Sequence, residues 1–226
     1  MERNTKKHLW TGPGLLFAFA LWTVLIRLID VREAGPKGTE IGFAALNLWF
    51  HRLTGVHMTL YTVTDWLGLV PIAVCLGFGV LGLIQLLRRK ELRLVDPDIL
   101  QLGGYYVLVI AAYLIFEAVP VNYRPILIDG RLEASYPSST TLLVLSVMPT
   151  LKLQIDRRSK SAAVRTLAGA SIRLFSAFMV IGRLISGVHW ATDIIGAVFL
   201  SLGLFYIYRF CVETLDRRRE KNHGIQ

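Results

Sequence analysis

The sequence predicts an all-α fold: a polytopic membrane bundle of about six transmembrane helices, forming one domain over residues 1–226. Two observations support this prediction. Hydrophobic residues make up 54% of the 226 residues without counting the 19 glycines, and the mean hydropathy is +0.50. Soluble domains are about 45–50% apolar even when glycine is included. Several apolar stretches also approach or exceed the ~18–20 residues that cross the hydrocarbon core of a bilayer.

The first predicted span covers residues 12–29 and follows a basic N-terminal segment. No convincing small-residue cleavage site follows it, so we expect a retained helix and not a removed signal peptide. The third predicted span opens after the turn "VDPD", and the fourth starts at Pro137, a residue that favours the first position of a helix. The second to sixth predicted spans cover about 66–87, 99–119, 137–153, 162–183 and 189–211.

The segment at residues 41–60, "IGFAALNLWFHRLTGVHMTL", is apolar but contains His51, Arg52 and His57. These side chains disfavour a position in the middle of the bilayer. An outer interfacial helix with Trp49 at the level of the headgroups therefore fits the segment better than a further full span, which remains the alternative.

The formal charge of +9 lies in short basic clusters between apolar stretches, such as "RRKELR" after the second span and "KLQIDRRSKSAAVR" after the fourth. This pattern indicates membrane orientation, and with no nucleic-acid-binding motif we expect no nucleic-acid partner. Because cytoplasmic loops are enriched in Lys and Arg, both termini are predicted to be cytoplasmic, in a multi-pass protein of the cell membrane. The loops at 30–65, 120–136 and 184–188 would then face outward.

Both cysteines, Cys75 and Cys211, lie within apolar runs and form neither a CxxC motif nor a metal-ligand spacing. We therefore expect two unpaired thiols, facing lipid or the core. The sequence gives no reason to expect a metal or a cofactor.

Polar residues gather in three predicted outer segments: "NYRP" (Asn122 to Pro125), "SYPSSTT" (Ser135 to Thr141) and "GRLISGVHWATD" (from Gly182). Placing an ionisable group near hydrocarbon costs free energy, so residues of this kind are candidates for a functional role. Arginine presents a charged fork that suits phosphate oxygens, and a helix N-terminus presents free N–H groups to an anion. The predicted phosphate-binding residues are Arg124, Arg183, Ser138, Ser139 and Thr140.

The third segment also contains His189 and Asp193, which are four residues apart and would lie on one face of a helix. An aspartate bonded to one imidazole nitrogen fixes the tautomer and leaves the other nitrogen free to attack an electrophile. We therefore predict His189 and Asp193 as catalytic residues, with a phosphohistidine intermediate.

In order and spacing these residues resemble the type 2 phosphatidic acid phosphatases (the PAP2 superfamily), which are related to vanadium haloperoxidases and glucose-6-phosphatase. The signature of that family is Lys-x6-Arg-Pro, then Pro-Ser-Gly-His, then Ser-Arg-x5-His-x3-Asp. Arg124–Pro125, Pro137–Ser138 and the set Arg183, His189 and Asp193 match it, within residues 60–212. The resemblance implies a membrane lipid phosphatase in which His189 is the nucleophile and Asp193 orients it. Arg124, Arg183 and Ser138 would hold the phosphoryl group.

The sequence departs from this signature at four positions: Glu117 replaces the lysine, Ser139 the glycine, Thr140 the histidine and Gly182 the serine. In the family the lysine helps to bind phosphate, and the histidine protonates the leaving oxygen. Two residues are alternative substitute acids, namely Glu117 at the membrane edge and His57 in the outer segment. A simpler role for Glu117 is to pair with Arg124 or to solvate the outer mouth of the site.

General acid catalysis typically contributes about 10²–10⁴-fold, most of all when the leaving group is an alkoxide. A phosphate leaving a diphosphate has a second pKa of roughly 6–7 and needs a proton less. We therefore expect a lipid phosphate substrate, with polyprenyl diphosphates such as undecaprenyl diphosphate favoured, and membrane lipids as the other partners. The alternatives are a phosphatidylglycerophosphate or phosphatidate phosphatase, and a catalytically silent protein that binds or transports lipid phosphates.

Overall fold

The computed structural model describes the backbone of residues 2–223 and the side chains of residues 7–220. It is a bundle of α-helices, with one antiparallel pair of short strands, β1 (Arg32–Glu33) and β2 (Glu40–Ile41). The helices are α1 (Glu2–Leu28), α2 (Ala44–Thr54), α3 (Met58–Leu67), α4 (Leu69–Arg89), α5 (Pro97–Ala118), α6 (Ser139–Arg158), α7 (Ala162–Ile185) and α8 (Ala191–His223).

Within the described residues, five helical segments are long and apolar enough to cross a membrane. They are Lys7–Leu28, Met58–Arg89, Pro97–Ala118, Ala162–Ile185 and Ala191–Glu220. The prediction of an all-α, multi-pass membrane bundle is therefore confirmed, and Cys75 and Cys211 are both free thiols.

The predicted fourth span forms helix α6, which is not among these five segments. Helix α6 packs against α4, α5, α7 and α8, so protein and not lipid surrounds much of it. Polar side chains such as Thr141, Ser146, Thr150 and Gln154 are buried there. Hydropathy measures how well a segment suits lipid, and a helix enclosed by other helices does not need that character.

The predicted start of the second span, residue 66, was wrong. Helices α3 and α4 meet at Gly68 and together cover Met58–Arg89, so the spanning segment begins about two turns earlier. In the sequence, the charge of Asp65 places the start of the apolar span after it. In the structure this carboxylate lies 3.6 Å from Nη1 of Arg183. Its charge is balanced by a neighbouring helix, which hydropathy along the chain does not detect.

The helix predicted near residues 41–60 is present but shorter than that segment, because three elements share it. β2 ends at Ile41, α2 covers only Ala44–Thr54, and α3 begins at Met58. Gly55, with φ of 70°, ends α2 in a conformation that favours glycine. Helix α2 packs on the start of α8, where buried Asn47 donates to Oγ1 of Thr192 at 3.0 Å.

The loop between α5 and α6 is held against the bundle by Tyr136. Its buried ring lies so close to Gly196 that a Cβ atom there would be 2.4 Å from Cε2 of the tyrosine. The Tyr136 hydroxyl is 2.7 Å from Oγ1 of Thr23 in α1. Burial raises the pKa of Tyr136, so the phenol stays neutral. Residues on either side of Tyr136 are thereby fixed beside the first turn of α8.

The three predicted outer segments meet at one end of the bundle. Asn122 donates to Asp193, Ser135 contacts His189, and the backbone N–H of His57 donates to the carbonyl of Ser186 at 2.9 Å. This convergence was predicted from the chain order of the polar segments.

Candidate active site

His189 lies in the turn between α7 and α8, and its side chain is almost fully buried. The turn depends on Gly187, with φ of 70°, where a Cβ atom would lie 2.0 Å from the carbonyl oxygen of Gly55. Helix α8 begins only at Ala191. The predicted shared helix face of His189 and Asp193 is therefore wrong: the histidine precedes the helix, whereas the aspartate lies in its first turn.

The contacts of His189 define its tautomer. Nδ1 lies 3.1 Å from the carbonyl oxygen of Ser135 and 3.0 Å from the hydroxyl oxygen of the same residue. Because a carbonyl oxygen only accepts, Nδ1 carries the proton and Nε2 carries the lone pair. Nε2 is buried and has no hydrogen-bond partner among the described residues. Such a nitrogen is available to attack an electrophile.

Asp193 contacts this histidine through Ser135 and not directly. Nδ1 of His189 and Oδ2 of Asp193 are 3.9 Å apart, while the Ser135 hydroxyl donates to Oδ2 at 2.5 Å. The same carboxylate accepts from the backbone N–H of Trp190 at 2.9 Å and from Nδ2 of Asn122 at 3.1 Å. Sequence reasoning missed Ser135 and Asn122, although both lie within the polar segments that it identified.

The pKa of His189 lies well below its ordinary value. Burial is the main cause, and the positive charges of Arg124 and Arg183 add to it. The site therefore holds a neutral imidazole, which is the nucleophilic form, at physiological pH.

Arg183 is buried at the end of α7, with 1% of the residue exposed. Its guanidinium lies over the ring of Tyr61, 4.8 Å from the ring centroid, and Nη1 is 3.6 Å from Oδ1 of Asp65. Nε and Nη1 have no hydrogen-bond partner among the described residues. Buried donors of a charged group that lack acceptors are unfavourable, so this guanidinium is suited to receive an anion.

Arg124 reaches the same aromatic ring from the α5–α6 loop, with its Cζ 5.8 Å from the Tyr61 centroid. Its Nε lies 3.0 Å from Oε2 of Glu133, and Nη1 has no hydrogen-bond partner within the described part of the chain. The expected pairing with Glu117 is not found, because Glu133 takes that place. Two buried guanidinium groups on one tyrosine form a strongly positive centre beside His189. Sequence reasoning missed Tyr61 and Glu133.

Helix α6 begins at this centre, but the three predicted residues of its N-terminus differ in placement. The N–H of Ser138 donates to the carbonyl of Asp193 at 3.3 Å, so it is not a free donor. The Ser138 hydroxyl is buried and has no partner in the part of the chain that the structure describes. Ser139 lines the cavity that contains His189. Thr140 lines a different cavity, beside Gly68, and its methyl group would be 3.7 Å from a Cβ atom added there.

A cavity of about 360 Å³ lies at the mouth of the site. Besides His189 and Arg124, it is lined by Glu117 from the last turn of α5, the first of the two predicted substitute acids. His57, the second, does not line it: the exposed His57 ring has Nε2 2.8 Å from the carbonyl oxygen of Thr54. The geometry combines an imidazole nitrogen with a free lone pair, two buried guanidinium groups with unused donors and one carboxyl group, which is a set suited to phosphoryl transfer.

Comparisons with known proteins give a family match and a structure of similar fold. Residues 99–217 match the family model of the PAP2 superfamily. Among solved structures, the chain is similar to the first transmembrane PAP2 type phosphatidylglycerolphosphate phosphatase from Bacillus subtilis, with a TM-score of 0.62 and 15% sequence identity. The match covers 91% of this chain and 97% of the other, and at this identity it supports the fold alone. No curated protein matches the chain.

Proposed function

Since the chain belongs to the PAP2 superfamily, we propose that it is a membrane phosphatase that hydrolyses a lipid phosphate or diphosphate through a phosphohistidine. One observation carries the proposal: Nε2 of His189 has a free lone pair beside two buried guanidinium groups with unused donors. A phosphoryl group placed between them satisfies those donors and presents its phosphorus atom to the nitrogen.

In the proposed first step, Nε2 of His189 attacks phosphorus, a P–N bond forms, and the bond from phosphorus to the leaving oxygen breaks. The leaving oxygen takes the electron pair. Arg124 and Arg183 hold the non-bridging oxygens, whose charge is preserved as the bonds rearrange. In the imidazolium that forms, the Nδ1–H still donates its hydrogen bond to the Ser135 carbonyl. The Asp193 carboxylate balances the positive charge through the Ser135 hydroxyl.

In the second step, water attacks phosphorus, the P–N bond breaks, and inorganic phosphate leaves while the imidazole recovers its lone pair. Glu117 lines the same cavity as His189 and can accept the proton of that water. The same carboxyl group, when protonated, can donate to a leaving oxygen in the first step. We assign it both proton transfers.

The substrate that suits this site best is a lipid diphosphate, such as a polyprenyl diphosphate. The family's acid position is Thr140, which lines a different cavity and ionises too weakly to replace a histidine. A departing lipid monophosphate needs less protonation than an alkoxide. The apolar surface of the bundle accepts the lipid chain.

A second candidate substrate is a phosphate monoester such as phosphatidylglycerophosphate, which is the substrate named for the Bacillus subtilis protein. The specific observation in its favour is Glu117, which offers a carboxyl group within the cavity. A catalytically silent lipid-phosphate-binding protein is the third candidate, since the family's lysine and histidine are both replaced.

The test uses purified protein in detergent and measures inorganic phosphate released from undecaprenyl diphosphate, phosphatidylglycerophosphate and phosphatidic acid. We expect the diphosphate to be hydrolysed fastest, and His189→Ala to abolish release. His57→Ala is the matched control, because that ring lies outside the cavity. Equal or reversed substrate preference contradicts the diphosphate assignment, and no release from any substrate supports the silent binder.

We also propose that both termini are cytoplasmic and that the site opens on the extracytoplasmic face. The supporting observation is the position of the basic clusters "RRKELR", which begins in the last turn of α4, and "KLQIDRRSKSAAVR", which runs from the end of α6 into the start of α7. Both lie at the end of the bundle opposite His189. Epitope tags at either terminus should resist protease in intact cells and be cleaved after lysis. Cleavage of a tag in intact cells contradicts this orientation.

A further inference from the structure

A second cavity, of about 410 Å³, lies on the side of the bundle between α6, α7 and α8. Its polar lining includes Lys152 of α6, Arg173 and Ser176 of α7, and Arg209 of α8. It shares no lining residue with the cavity of His189. Arg173 precedes Arg183 by ten residues, which is about 15 Å along the axis of α7.

Arg173 lies near the middle of a membrane-spanning helix and is exposed on its surface. No ion pair or hydrogen bond joins its guanidinium to any other described residue. A charged side chain within a bilayer is strongly unfavourable without a partner, so such residues mark sites for ions, substrates or polar ligands.

One acidic residue, Asp156, lines this cavity, and both it and the nearby Glu213 form ion pairs with cations of the lining. Asp156 forms an ion pair with Lys152, and Glu213 lies 3.1 Å from Nε of Arg209. Close approach of the cations is permitted by Gly169, where a Cβ atom would lie 2.5 Å from Cε of Lys152 and 3.5 Å from Nη1 of Arg173. Arg173 is therefore the cation of this lining that has no carboxylate partner among the described residues.

One further polar group of this cavity lacks a hydrogen-bond partner among the described residues, and a second lacks its regular helical donor. The hydroxyl of Ser176 is buried without a hydrogen bond among the described residues. Pro149, within α6, has no N–H, so the carbonyl of Leu145 lacks the donor that a regular helix provides. Within a bilayer, polar groups need partners inside the protein or from a polar ligand. The groups available to such a ligand are two donors, the guanidinium of Arg173 and the hydroxyl of Ser176, and one acceptor, the carbonyl of Leu145.

We propose that this cavity binds the headgroup of an anionic phospholipid, at a site separate from the one that contains His189. The phosphate pairs with the guanidinium of Arg173 and accepts from the hydroxyl of Ser176. A hydroxyl of the headgroup, as in phosphatidylglycerol, donates to the carbonyl of Leu145. Arg173 is exposed on the surface of α7, so a lipid can reach it from within the bilayer.

The test measures the melting temperature of purified protein during titration with phosphatidylglycerol, with phosphatidylcholine of the same acyl chains, and with inorganic phosphate. We expect stabilisation by phosphatidylglycerol, and an affinity about tenfold weaker or more in Arg173→Gln, which loses charge-assisted hydrogen bonds. Arg165→Gln is the matched control: it is on the same helix but outside the cavity, bonded to the carbonyl of Ser159. It should bind phosphatidylglycerol like the wild type.

Two more variants keep the test decisive if Arg173→Gln does not fold. Arg173→Lys keeps the charge but not the fork, and Ser176→Ala removes the free hydroxyl; both should weaken phosphatidylglycerol binding. Arg183→Gln should not weaken it, which separates this site from the catalytic one. Stabilisation by inorganic phosphate alone that depends on Arg173 would assign the site to free phosphate. Equal binding by wild type, Arg173→Lys and Ser176→Ala, or equal stabilisation by phosphatidylcholine, overturns the proposal.

Discussion

Nδ1 of His189 and Oδ2 of Asp193 lie 3.9 Å apart, and the hydroxyl of Ser135 lies between them. The histidine is therefore oriented by a serine that is itself held by the aspartate. Both the carbonyl and the hydroxyl of Ser135 contact Nδ1, so one residue fixes the tautomer and couples the imidazole to the buried carboxylate.

Removing this link should slow the chemical step. In Ser135→Ala, the carbonyl still accepts from Nδ1, but the hydroxyl bond to Asp193 is lost and one buried carboxylate oxygen loses a donor. We expect kcat to fall about 10- to 100-fold with KM nearly unchanged, since a hydrogen bond to a charged group contributes about 1.5–3 kcal/mol. Rapid-quench measurement of phosphohistidine formation checks this.

The matched control for that substitution is Ser201→Ala. Its hydroxyl is equally buried but bonds to the carbonyl of Ala197 within α8, remote from the cavity. It should retain wild-type kcat. Equal losses in the two variants would mean that Ser135 acts only through stability.

Acidic pH should reduce the hydrolytic activity less than expected for a histidine nucleophile with an ordinary pKa. A free histidine titrates near pH 6.5, whereas the folded pKa of His189 is depressed by burial and by two arginines. The acid limb of kcat/KM should therefore lie below about pH 6.5. Arg124→Gln removes one of the positive charges, so its acid limb should move toward neutral pH, whatever the absolute rate.

The depressed pKa of His189 also affects the free energy of unfolding. The unfolded histidine takes up a proton as pH falls below about 6.5 while the buried one resists, so this group's contribution destabilises the fold progressively in acid. His189→Gln should show a shallower loss of melting temperature between neutral pH and pH 5. Identical pH dependence in both proteins would contradict the depressed pKa.

Glu133 should compete with substrate phosphate for Arg124, because its carboxylate lies 3.0 Å from Nε of that arginine. Glu133→Gln leaves the guanidinium free for an anion. Since partly exposed ion pairs contribute about 0–1 kcal/mol, inhibition by orthovanadate should tighten by up to about fivefold. Glu33→Gln, on the exposed strand β1, should leave the inhibition constant unchanged. Weaker inhibition in Glu133→Gln would mean that this carboxylate positions Arg124 and does not block it.

Glu117 should matter most for poor leaving groups. We expect Glu117→Gln to reduce hydrolysis of phosphatidic acid by about 10²-fold or more, because an alkoxide requires a proton, and to reduce hydrolysis of a polyprenyl diphosphate much less. Comparing kcat/KM for both substrates measures this difference. Equal losses on the two substrates would assign Glu117 to the second step alone.

Gly182 stands where the family signature has a serine, and α3 approaches it closely. A Cβ atom at this position would lie 2.8 Å from Cγ2 of Thr64, which is fully buried. Gly182→Ser should destabilise the protein by about 1–3 kcal/mol through overpacking. Adding Thr64→Ala removes the obstructing methyl group and should restore the melting temperature. A stable single variant, or a double variant that is less stable, would contradict this account.

The sequence was sufficient to predict the helices that contact lipid, since each must present about 20 apolar residues to the bilayer wherever it lies in the bundle. The requirement for about 20 apolar residues does not describe α6, because its polar residues contact other helices and not lipid. It also failed at Asp65, whose charge is balanced by a residue far along the chain. Hydropathy is a property of a segment, whereas burial depends on its neighbours.

For the site, chemistry and spacing predicted roles for His189, Asp193, Arg124 and Arg183 and predicted that their segments meet, and the structure brings these segments together. Only the tertiary structure decided how they meet. It placed Ser135 between the histidine and the aspartate, Tyr61 beneath both arginines, and Thr140 on an adjoining cavity that His189 does not line. A hydrogen bond depends on distances of a few tenths of an ångström between residues tens of positions apart, and residue types along the chain do not contain those distances.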